Sequence, residues 1–80
     1  MYNKNFNSIF SKNLNLVMIE TGKKQIDLSR DLNIPKSTVS SWCLGTRLPK
    51  LSSLFYIAKY LNIEDPTSLL DENFKSKYIK

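Results

Sequence analysis

The stretch Pro35-Lys-Ser-Thr-Val-Ser-Ser-Trp-Cys-Leu44, closed by Gly45, holds the side chains most open to a chemical reading. Val39 and Trp42 are three apart and share one helical face, while Lys36, Ser37, Ser40 and Ser41 take the opposite side. That outer side is small, hydroxylated and cationic, and it holds no carboxylate. A merely solvated helix face mixes Glu with Lys, whereas a face of this kind suits a polyanion. Its chemistry would be recognition by charge and hydroxyl groups. Bond-making chemistry lacks its parts. With one Cys and no His, a structural zinc site and any His-based triad are excluded. No carboxylate pair or nucleophile–base set can be assembled either, so the chain is not expected to be an enzyme or to need a cofactor.

So short a stretch is not a stable helix alone, and other elements must position it. Just before it lies Gln25-Ile-Asp-Leu-Ser-Arg-Asp-Leu32, then the break Asn33-Ile34. Two short helices joined by a three- to four-residue turn make a helix-turn-helix. Leu28 and Leu32 face inward, Asp27 in the first turn suits the helix dipole, and Asn33 tolerates the left-handed conformation of a tight turn. Ile34 plugs the turn into the core, Pro35 opens the second helix and Gly45 stops it.

Upstream, Phe6, Phe10, Leu14, Val17 and Met18, widened by Ile9 and Leu16, form a helical stripe that ends near Thr21, with Gly22 as its C-terminal stop. Downstream, Thr46-Arg-Leu-Pro49 is a loop. Leu51, Leu54, Ile57, Ala58 and Leu61 then predict a fourth helix ending near Asn62, with Ile63 packing back. Asp65-Pro66 caps a short fifth helix that includes Leu69 and Leu70. Periodicity is weak from Asn73 to Lys80. Residues 1–72 are therefore expected to form one helix-turn-helix domain, and residues 73–80 a basic C-terminal tail or the start of a linker. Phe55, Tyr56 and Tyr60 lie partly off the core stripe of the fourth helix, as a dimer surface or as amphipathic cover.

The 80 residues, 41% of them hydrophobic, allow one domain with a small core. No apolar run approaches the length of a membrane span, no signal-peptide core is visible, and the lone Cys fits a reducing compartment. A cytoplasmic location is the expectation. The net charge of +5 favours an anionic partner, and it is unevenly placed. Lys23, Lys24, Arg30, Lys36, Arg47 and Lys50 surround the helix-turn-helix against Asp27 and Asp31. From Leu51 to Glu72 only Lys59 faces Glu64, Asp65, Asp71 and Glu72.

Gln25, Leu28, Leu32, Ile34, Thr38, Val39, Trp42, Gly45, Arg47, Pro49, Leu54, Ala58 and Leu61 together resemble the phage-repressor/Cro-like helix-turn-helix family, also called XRE. The likeness covers about residues 6 to 71. Its specific marks are the Gln25 start, Trp42-x-x-Gly45 and Arg47-x-Pro49, which recur together at family spacing. The resemblance implies an all-α fold, a compact five-helix bundle of the lambda-repressor-like type. It also implies a second motif helix lying in the major groove of double-stranded DNA, usually in a symmetric dimer on a palindromic operator. The expected function is thus a sequence-specific transcriptional regulator of phage or mobile-element type, acting as a homodimer that forms either free or only on DNA.

By the same resemblance, Gln25 anchors to a backbone phosphate. Lys36, Ser37 and Ser41 fall where base edges are read, Lys36 with a preference for guanine O6/N7. Thr38 and Ser40 are nearer the groove wall, within reach of phosphate. Arg47 and Lys50 resemble the phosphate clamp that follows the recognition helix. The competing reading is a protein-interaction module on the same fold, such as an antirepressor or antitoxin part. It would call for an acidic or apolar outer face on the second motif helix.

The chain departs from the family pattern at Lys24, Ser29 and Asn33, where Ser or Thr, Ala and Gly are usual. Met18 and Cys43 stand where the family has an Arg–Glu ion pair. Replacing both partners with apolar, polarisable side chains predicts that Met18 and Cys43 touch in the core between the first and third helices. Cys43 is then a core residue rather than a reactive thiol.

Overall fold

The computed structural model describes residues 5–78. In chain order these form α1 (Phe6–Thr21), α2 (Gln25–Leu32), α3 (Lys36–Leu44), α4 (Leu51–Tyr60), a 3-10 helix (Pro66–Leu70) and α5 (Phe74–Tyr78). Among the described residues there is no strand. The all-α bundle implied by the family resemblance is the observed architecture.

Local chemistry sets the helix ends. Asn5 Oδ1 accepts the Ser8 N–H at 3.2 Å and starts α1. Gly22, at φ 72°, ends it, and the Lys23 N–H reaches back to the Met18 carbonyl at 2.9 Å, a Schellman closure. Lys24 offers no acceptor to cap α2. The Asp27 carboxylate instead takes the Lys24 N–H at 2.9 Å, which supplies one half of a capping box. Asn33 takes the left-handed conformation at φ 55°. The Ile34 N–H then bonds to the Ser29 carbonyl at 3.0 Å, and Ser29 Oγ donates back to the Ile34 carbonyl at 2.6 Å. This reciprocal pair fixes the turn between the motif helices. Pro35 precedes α3 and lends its carbonyl to the Thr38 and Val39 N–H groups.

Phe10, Leu14 and Val17 of α1 meet Leu28, Val39, Trp42, Leu54, Ile57, Ala58 and Leu69 in one buried cluster. Asn13 is the buried polar residue among those described. Its side-chain amide donates to the carbonyls of Leu69 at 2.8 Å and Asp71 at 2.9 Å. It thereby pins α1 to the end of the 3-10 helix without leaving a buried donor unmet.

The structure departs from the sequence reading in four places. The segment around Leu69 and Leu70 is 3-10 rather than α, and the fifth α-helix lies beyond it. Weak periodicity gave no reason to expect that helix, yet Phe74 is only 2% exposed and stacks on Tyr78 with ring centroids 5.0 Å apart. The packed body therefore extends past residue 72. Leu51, assigned to the core stripe of α4, is 67% exposed at the first position of that helix; Phe6 is half-exposed at the start of α1.

Candidate nucleic-acid interface

α3 is held between α1 and α2, with Val39, Trp42 and Cys43 buried. Its outer side is left to solvent. Lys36 and Ser37 are exposed, while Ser40 and Ser41 are half-buried on its flank. Ser41 Oγ donates to the Ser37 carbonyl at 2.9 Å, so its free capacity is that of an acceptor. Gln25 is exposed at the first position of α2.

Thr38, Arg47 and Lys50 come together although they are spread over thirteen sequence positions. With Trp42 and Ser53 they line an open groove of about 390 Å³ between α3 and the start of α4. Lys50 precedes α4 and caps none of its N–H groups with a side chain. The positive end of that helix therefore adds to the two side-chain charges.

The cations near the motif fall into two groups. Arg30 is paired twice, with Asp27 at 2.9 Å and with Asp31 at 3.0 Å. The Tyr60 hydroxyl also donates to Asp31, and Lys23 Nζ sits 5.0 Å from the centre of the Tyr60 ring. The Lys24 backbone N–H and then Arg30 hold the Asp27 carboxyl below the usual range. The Tyr60 hydroxyl and then Arg30 do the same for Asp31, and that carboxylate in turn raises the Tyr60 phenol. By contrast Lys36, Arg47 and Lys50 have no ion pair or hydrogen bond to a side chain among the described residues. Charge that is already paired gains little from a new anion; unpaired, exposed charge is free to meet one.

Behind this face, Met18 Sδ and Cys43 Sγ lie 3.9 Å apart, both buried. Burial pushes the Cys43 thiol up, so it stays protonated at neutral pH.

Leu44 went unremarked in the sequence reading except as a helix end. It is 73% exposed and continues the Ser37–Ser41 ridge at i, i+4, i+7. That spacing was the signal available for finding it.

Two short helices across a tight turn, the second with an uncompensated cationic outer face, define a helix-turn-helix domain. A family model described as Helix-turn-helix matches residues 16–67. The chain belongs to the XRE-type helix-turn-helix family, a family of DNA-binding regulators that are generally not enzymes. No curated protein and no solved structure matches it. Among the described residues, no helix is long and apolar enough to cross a membrane.

Proposed function

We propose that this protein is a sequence-specific transcriptional regulator of phage or mobile-element type that inserts α3 into the major groove of double-stranded DNA. One observation carries the reading: Lys36, Arg47 and Lys50 are exposed and unpaired around α3, while the nearby Arg30 is neutralised within the fold. Lys36, Ser37 and Ser41 read base edges, and Leu44 offers methyl groups to a thymine methyl at the end of the same ridge. Serine side chains are short, so the α3 backbone must approach the groove floor closely. Gln25, Thr38, Ser40, Arg47 and Lys50 contact phosphates and set the register. Two copies bind a palindrome with half-sites about one helical turn apart.

The test is a binding titration of the full chain against duplexes enriched from a random library, at two or more salt concentrations. If each subunit neutralises roughly four to six phosphates, affinity falls steeply with salt. Lys36→Ala relaxes preference at one base pair, at a cost of about 1–3 kcal/mol. Lys50→Ala weakens all duplexes alike and lowers the salt slope. A flat salt response, no preference among duplexes, or the same pattern for both variants would overturn the reading.

A further inference from the structure

The C-terminal end of α3 is tied to α1 by a contact that the apolar core does not require. The last four carbonyls of a helix lack intrahelical partners. In α3 the Ser41 carbonyl is met by the Thr46 N–H at 3.0 Å and that of Trp42 by the Gly45 N–H at 3.3 Å. The Cys43 carbonyl is met from another helix. Ser11 Oγ donates to it at 2.6 Å and Asn15 Nδ2 at 3.0 Å. The two donors are one turn apart on α1, with Asn15 Nδ2 also 3.4 Å from Ser11 Oγ. They converge on a single acceptor and so fix both its distance and its direction. The backbones are close here: a Cβ on Gly45 would stand 3.4 Å from Ser11 Cβ. The neighbouring Met18–Cys43 contact is apolar and soft, and it resists sliding weakly.

We propose that Ser11 and Asn15 are positioning residues that set the tilt of α3 and thereby its sequence preference. This rests on the DNA-binding reading above. Pro35, held at the α2–α3 turn, and Ser41 are six residues apart, about 9 Å along the helix axis. With the clamp gone, a tilt of about 6° pivoting at that turn moves Ser41 by about 1 Å. Hydrogen bonding to a base edge tolerates roughly half of that. A serine has no length with which to compensate, whereas Lys36, Arg47 and Lys50 reach their targets on flexible stems. Loss of the clamp therefore removes discrimination and spares phosphate-driven binding.

The experiment measures affinity of the parent, Ser11→Ala, Asn15→Ala and the double variant for two probes. One is a duplex enriched from a random library by the parent; the other is its scrambled version. At temperatures well below unfolding, the preference for the enriched duplex is expected to fall about tenfold or more in the double variant, with affinity for the scrambled duplex unchanged. A smaller folded fraction would divide both affinities by the same factor and leave their ratio intact. A ratio unchanged in the variants, or an equal loss on both probes, overturns the proposal. Should the double variant not fold, the two single variants decide by the same ratio. Should the parent enrich no duplex, the DNA reading falls. The clamp is then judged by residual dipolar couplings of the α3 amides, which report the orientation of α3 against α1. An orientation identical in the parent and the variants overturns the clamp as well, and a changed one supports it.

Discussion

Cys43→Glu should strongly destabilise the fold, and Met18→Arg added to it should recover much of the loss. The Cys43 side chain is buried, with the Met18 thioether 3.9 Å away. A carboxylate placed there finds no cation among the described residues on α1: Lys12 is exposed and Met18 occupies the facing position. An unpaired buried charge costs about 3–5 kcal/mol, and in a domain of this size each kcal/mol lowers Tm by about 4–8 °C. A drop of at least about 10 °C is expected for the single variant by thermal circular dichroism. The pH dependence identifies the cause. Burial raises the folded pKa of the introduced carboxyl above its unfolded value near 4.3. The penalty is therefore complete above the folded pKa and shrinks as pH falls towards the unfolded one. The guanidinium in the double variant supplies the missing partner and should flatten that dependence. A single variant as stable as the parent, or a double variant no better than the single, refutes the reasoning.

Asn13→Ala removes the amide that serves the Leu69 and Asp71 carbonyls and should cost about 2–4 kcal/mol in urea unfolding; a loss within error of zero would show that water replaces the amide freely. The Asp31 carboxyl is held below its ordinary value of about 3.8, so its contribution is present above that pH and drains away as pH falls through the lower folded value. Asp31→Asn should therefore reduce the fall of Tm on the acid side, and an unchanged acid limb would count against the Tyr60–Asp31–Arg30 linkage. The Cys43 thiol, buried and raised, should react with an aromatic disulfide only at the rate of unfolding; rapid stoichiometric labelling of the native protein would contradict its core placement.

The elements written in local chemistry were legible before the structure. Gly22, Asn33 and Gly45 mark helix ends because each sits at positive φ, a demand that only a few residue types meet. Val39 and Trp42 were assignable to the core from spacing alone, and so was the Met18–Cys43 contact from two coupled departures from the family pattern. What stayed hidden depends on distant partners. Phe74 follows a segment too short and too charged to show a period, and its burial depends on what faces it. Leu51 fits the stripe of α4 by number but opens the helix and stays exposed there. Ser11 and Asn15 sit on the border of the α1 stripe. A polar residue there has the same signature whether it meets water or the carbonyl of another helix.

The Asn13 amide bridges 56 and 58 positions of sequence. Closing a chain segment of that length costs roughly 3–4 kcal/mol of entropy, whereas the α2–α3 turn closes across only a few residues. On this ground the helix-turn-helix is expected to assemble early on the folding path, and the bond between α1 and the 3-10 helix in its last stages. Interactions absent from the transition state act on the rate of escape from the native state. Asn13 would on that account act as a brake on unfolding: in stopped-flow kinetics Asn13→Ala should shorten the lifetime of the native state and leave the refolding rate nearly untouched, and a slowed refolding limb would count against this order.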